Sequence, residues 1–149
     1  PPPGKEPPSG GEAPPRPAVG AALRAEEFAA LQREAAEVYV DEAVKRYIVA
    51  LARATRARPD LALGASPRAS IALFRASQAL ALLRGRRFVV PDDCRELAVP
   101  VLAHRLVLHR DAEFAGLTQE KALAAAVQSV PVPSMPSVGG FAVRIGGAV

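Results

Sequence analysis

The chain has 149 residues, half of them hydrophobic, with 5% aromatic residues, no Trp and a net charge of +4. This is enough apolar material for one real core, and its richness in Ala, Leu and Arg favours helices over sheet. The basic side chains are interleaved with acids and form no single block, so nucleic acid is not the expected partner.

No apolar run approaches the ~20 residues of a membrane span, and the N-terminus lacks the charged and apolar regions of a signal peptide. Cys94, the one cysteine, can form no internal disulfide and reads as a small buried hydrophobe in a reducing compartment. A cytoplasmic protein is expected. The absence of a leading Met is what a piece of a longer chain would show.

Residues 1–20 open with PPPGKEPPSGGEAPPRP, in which eight of the fifteen prolines fall and no apolar period exists. Such a segment buries too little surface to offset its ordering entropy and is expected to be a disordered linker. From about Ala25 to Glu37, Phe28, Leu31, Ala35 and Val38 describe one face of a first helix. After Val38-Tyr39-Val40, Asp41 can cap a second helix running to about Arg58, with Val44, Ile48, Leu51 and Thr55 inward. Glu42, Arg46, Arg53 and Arg56 then fall on its solvated face, Glu42 and Arg46 being a favourable i,i+4 pair.

The central element is expected between Gly64 and Arg84, GASPRASIALFRASQALALLR. Ser66 can cap the helix, Pro67 suits its first position, and Gly85 stops it. Ala69, Leu73, Ala76, Leu80 and Leu83 share one face, while Ile71, Phe74, Ala81 and Leu82 lie on the other side, so this helix is expected to be the most buried. Arg68 breaks a local rule, because a cation in the first turn opposes the positive end of the helix dipole. A bound anion would remove the conflict. A solvated arginine whose stem lies along the helix is the alternative.

Beyond Gly85, Phe88-Val89-Val90 is β-prone, and Pro91-Asp92-Asp93 opens a fourth helix with its acids at the favourable end. Cys94, Leu97, Ala98, Val101 and Leu102 should face inward, with a kink at Pro100 placed on the outer side. Residues 105–109 form a short apolar stretch that could pair with 88–90. Thr118 caps a fifth helix to about Ser129, with Leu123, Ala126, Val127 and Val130 inward, before Val130-Pro131-Val132-Pro133 ends it. Residues 134–149, with four glycines, read as a flexible tail.

The segment from Gly64 to Leu108 resembles the C-terminal lid domain of MoxR-family AAA+ ATPases. The features that carry the likeness are the Gly64-Ala65-Ser66-Pro67-Arg68-Ala69 helix start, the Gly85-Arg86-Arg87-Phe88-Val89-Val90-Pro91-Asp92-Asp93 segment, and Ala103-His104-Arg105-Leu106. The likeness extends over residues 21–133. It implies an all-α, five-helix bundle, with at most a very short β-bridge between 88–90 and 105–109. It also implies that Arg68 is a sensor arginine reaching the terminal phosphate of ATP, with Gly64, Ala65 and Pro67 shaping its approach. Arg24 and Val90 depart from the cap-type residues expected at two helix starts.

By the same resemblance, the partners are an ATPase core domain and neighbouring AAA+ subunits in a ring that remodels a client protein, and the cofactors are ATP and Mg2+ held by that core. The chain itself has no Gly-x-x-x-x-Gly-Lys-Ser/Thr and no strand ending in magnesium-binding acids, so alone it is expected not to hydrolyse ATP. His104 and His109 are five apart with nothing to complete a metal set, and Asp92 and Asp93 diverge by ~100° on a helix, which suits helix-end stabilisation better than acid catalysis. Two rival readings remain open. One is a free-standing helical module binding protein or nucleic acid; the other is the lid of another AAA+ machine, such as a magnesium-chelatase-like ATPase.

Overall fold

The computed structural model describes Gly20 and residues 22–134; the expectations for the rest of the proline-rich start and for residues 135–149 lie outside these described residues. In chain order the elements are α1 (Ala25–Ala36), α2 (Glu42–Arg56), β1 (Leu61–Leu63), α3 (Pro67–Leu83), α4 (Pro91–Leu102), a 3-10 turn (Ala103–Arg105), β2 (Val107–Leu108), α5 (Arg110–Phe114) and α6 (Gln119–Ser129). The all-α class holds. One helix was not expected: α5 is a single short turn between β2 and Gly116, whose φ of +82° lets the chain reverse toward α6.

The first helix starts on an arginine, and Glu27 supplies what Arg24 cannot. Its carboxylate accepts the Arg24 backbone N–H at 2.8 Å, the N3-to-Ncap half of a capping box, and also the guanidinium at 3.1 Å. The inward face expected for α1 is not formed, since Phe28 is 55% and Leu31 41% exposed and no residue of the helix is buried. The helix lies against α3 with Ala29, Ala30 and Ala35 half-buried. Val38 is buried, but in the extended segment past the helix end, where Val38 and Val40 point in and Tyr39 points out with the period of two of a strand.

That segment is held by α3 and by the loop after it. The buried Gln78 side-chain amide donates to Ala36 O at 3.2 Å and Val38 O at 2.9 Å. Tyr39 N donates to Arg87 O at 2.9 Å, and Val89 N donates to Tyr39 O at 3.0 Å. Residue 88 therefore bridges Tyr39 in parallel, not residues 105–109. The partner of 107–108 is instead β1, antiparallel, with Leu61 opposite Leu108 and Leu63 opposite Val107. Leu61 and Leu108 are buried whereas Leu63 and Val107 are exposed, so this pairing puts the apolar residues that can be covered on the core side.

In α2 the Asp41 carboxylate accepts the Ala43 N–H at 2.8 Å, and Val44, Ile48, Leu51 and Thr55 are buried as expected, joined by Tyr47 and Ala52. Glu42 and Arg46 pair at 3.6 Å on the solvated face. In α3 the Ser66 hydroxyl accepts the Ala69 N–H at 3.3 Å. Its end is a Schellman motif, in which Arg86 N donates to Ala81 O and Gly85 N to Leu82 O, each at 2.8 Å, while Gly85 takes a φ of +69°.

The buried stripe of α3 is Ala69, Leu73, Ser77 and Ala81, with Gln78 beside it. Leu83 is 83% and Ile71 57% exposed, so the expected faces are corrected at both of these positions. Small residues at 69, 77 and 81 let α3 lie close to α1, α2 and α4 together. α4 presents Cys94, Ala98 and Leu102 to the core, with Leu97 and Val101 half-buried and Pro100 exposed. In α6, capped by Thr118, Ala122, Leu123, Ala126 and Val127 are buried and Val130 is half-buried.

Candidate functional site

The start of α3 is assembled from two parts of the chain. Ala65 is fully buried, and its backbone N–H donates to the Thr55 hydroxyl at 2.8 Å; that hydroxyl in turn donates to Ala52 O at 2.7 Å. Gly64 lies so close to the last turn of α2 that a Cβ there would stand 2.7 Å from Arg56 N and 2.8 Å from Arg56 Cα. Glycine at this position is thus required by helix packing, whatever ligand approaches the loop. Ser66, Pro67 and Arg68 are exposed.

Arg68 stands in the first turn of α3, which contains no acidic residue. Among the described residues its side chain makes no hydrogen bond or ion pair, whereas Arg24, Arg58, Arg84 and Arg86 each hold a carboxylate. The positive end of the helix dipole and the exposed guanidinium both favour negative charge near the start of α3, although Pro67 has no amide N–H and the Ala69 N–H is already taken by the Ser66 cap. Of the four residues picked out by sequence, Arg68 and Pro67 face solvent, Ala65 is locked into the core, and Gly64 is half-buried against α2.

A second polar cluster joins the other end of α3 to α4. Asp93 is fully buried; its carboxylate accepts from Arg86 at 2.6 and 2.9 Å, from Arg84 at 3.1 Å and from the Val90 N–H at 3.0 Å. Burial pushes this carboxyl's pKa up. The Arg86 hydrogen bonds, the Val90 amide and the charges of Arg86 and Arg84 outweigh that effect and hold it below the usual range. Arg84 also forks onto Glu96 at 2.7 and 2.8 Å. Asp93 thus does more than favour a helix end: it also supplies the cap that Val90 lacks.

Cys94 is buried, with the Ser77 hydroxyl 3.4 Å from its sulfur, and burial pushes the thiol up to about 11, so it stays a protonated core side chain at neutral pH. His104 and His109 are both exposed. Among the described residues no three His, Cys, Asp or Glu side chains gather as a metal site would need. No described helix is long and apolar enough to cross a membrane.

What sequence reasoning missed is Thr55 as the partner of Ala65 and the two arginines that converge on Asp93. Thr55 carried a signal, because a hydroxyl on the apolar face of a helix needs a partner, and its own i−3 carbonyl satisfies only the donor half.

A family profile described as AAA lid domain matches residues 53–126. The chain is 45% identical over 108 residues to YeaC of Bacillus subtilis, an uncharacterised protein, with 72% of this chain and 34% of that one aligned. It is 38% identical over 117 residues to the chaperone MoxR1 of Mycobacterium tuberculosis, covering 72% of this chain and 31% of that one. To the MoxR protein of Paracoccus denitrificans the identity is 36% over 115 residues, covering 64% and 32%. The crystal structure of an ATPase candidate from Cytophaga hutchinsonii superposes with a TM-score of 0.64 at 30% identity, over 68% of this chain and 34% of that one. The chain thus spans about a third of the length of each relative. It carries an AAA lid domain and belongs to the MoxR family.

Proposed function

We propose that residues 21–133 act as the lid of a cytoplasmic MoxR-like AAA+ ATPase and that Arg68 is its sensor arginine, contacting the terminal phosphate of ATP bound between lid and core. The observation that carries this reading is the exposed Arg68 side chain, without a partner among the described residues, in the acid-free first turn of α3. Arg68 supplies charge where the transferring phosphoryl group develops it, and the positive end of the α3 dipole favours the same anion. Gly64, Ala65 and Pro67 hold the backbone that sets where this charge sits. Magnesium bound with the nucleotide would, on this reading, be held by the ATPase core and would supply positive charge to the phosphates. Hydrolysis would then move the lid as a rigid unit, and adjacent subunits of a ring would convert the movement into remodelling of a client protein.

The test is ATP turnover by the full-length ATPase that contains this lid. Arg68→Ala is expected to lower kcat by about tenfold or more, while Arg75→Ala, also exposed but two turns further along α3, leaves it unchanged. The stability of the Arg68→Ala protein should be unchanged or slightly raised, because the cation opposes the helix dipole. Turnover as fast with Arg68→Ala as without it would reduce Arg68 to a surface residue.

A further inference from the structure

The exposed arginine and the buried hydroxyl of Thr55 are separated by a short, stiff path. Thr55 is fully buried in the last turn of α2, and its hydroxyl proton is committed to Ala52 O at 2.7 Å. With the proton so directed, a lone pair is left for the Ala65 N–H at 2.8 Å. One residue earlier, Gly64 rests directly on the Arg56 backbone. One residue later comes the Ser66 cap, then Pro67 with its fixed φ, then Arg68. The loop is pinned at two adjacent points on α2, and only Ser66, itself bonded to the Ala69 N–H, and Pro67 separate the second pin from the residue that carries the charge.

We infer that Thr55 is a positioning residue for Arg68: its hydroxyl sets where α3 begins relative to α2, and so where the guanidinium is held. This rests on the reading of Arg68 as the phosphate contact. A hydroxyl that only filled the core could be replaced by a methyl of the same size at a cost in stability alone. A hydroxyl that registers the two helices has a further consequence, since displacement of a charge-stabilising group by about 1 Å can cost up to ~100-fold in rate.

The experiment measures kcat and KM for ATP in the full-length ATPase. Thr55→Val keeps the shape, removes the acceptor and leaves the Ala65 N–H buried and unpaired; kcat is expected to fall by about tenfold or more. Thr55→Ser keeps the hydroxyl and should restore most of the rate. Leu123→Ala, a cavity in the core of α6, should lower thermal stability by at least as much and leave kcat in place. In an Arg68→Ala background, Thr55→Val should slow the enzyme no further. Should Thr55→Val not yield folded protein, Thr55→Cys, whose sulfur is a weak acceptor, takes its place with an intermediate rate expected.

The inference is overturned if Thr55→Val, or Thr55→Cys in its stead, turns over like wild type while Arg68→Ala is slow. It is equally overturned if the Thr55 substitution slows the Arg68→Ala enzyme by the same factor as wild type, because its effect then does not pass through the arginine. An Arg68→Ala enzyme as fast as wild type overturns the phosphate-contact reading itself, a result distinct from either of these.

Discussion

Asp93 shows how one buried side chain can serve two helices. Its carboxylate caps α4 through the Val90 N–H and ties Arg84 and Arg86, from the end of α3 and the turn after it, to the same point. A fully buried carboxylate is costly unless paired, and removing a partner from such a group leaves an uncompensated charge. Asp93→Asn takes away the buried charge itself and leaves two partly exposed arginines, Arg84 still paired with Glu96, so the domain is expected to lose about 1 to 3 kcal/mol through the weakened hydrogen bonds, measured by urea unfolding at pH 7. The pH dependence has a definite sign: a carboxyl whose folded pKa is depressed adds its full stability above the unfolded value of about 3.9 and loses it as pH falls through the folded one. The gap in melting temperature between wild type and Asp93→Asn should accordingly narrow below pH 4. A gap that stays constant from pH 7 to pH 3 would contradict the ion-pair account. Gly64 and Thr55, at the opposite end of α3, make the same point with neutral groups, since both are needed by α2 as much as by the loop they sit in or touch.

At the scale of elements, α3 is the hub: it touches α1, α2 and α4, and its buried stripe runs Ala69, Leu73, Ser77, Ala81. The stripe is narrow and made largely of small residues, so the one large side chain in it carries most of the apolar burial. Leu73→Ala should cost about 2 to 5 kcal/mol through lost transfer energy and the cavity left behind. Leu83→Ala, at a position that is 83% exposed, should stay within about 0.5 kcal/mol of wild type. Equal losses at the two sites, read by denaturant midpoints, would mean that Leu83 is covered in solution. The helix ends were more legible than the faces. Ser66, Asp41, Thr118 and Gly85 all act where their chemistry says they should, whereas the starts of α1 and α4 were obscured because the acid three residues on, Glu27 or Asp93, does the capping.

For the whole molecule, the uneven burial predicts an uneven spread of local stability. α1 buries none of its residues, whereas α3 is enclosed by three helices. Hydrogen exchange should find the α3 amides opening only with global unfolding and those of α1 exchanging much earlier; equal protection in the two helices would be inconsistent with this packing. Periodicity, caps and turn residues determined by themselves that the chain is helical, where its long helices lie and that Arg68 opens the central one, because these depend on interactions within a few residues. They did not determine which strand pairs with which: 88 and 107–108 are each apolar and extended, and only the run of the chain beside Tyr39 and Leu61–Leu63 selects their partners. Nor could they show that Phe28, Ile71 and Leu83 stay exposed, since a helix face is buried only where another element arrives to cover it. The anchoring of Ala65 by Thr55, ten residues away, and the convergence of Arg84 and Arg86 on Asp93 belong to the tertiary structure alone, because hydrogen-bond partners brought together by packing leave no spacing in the sequence to be read.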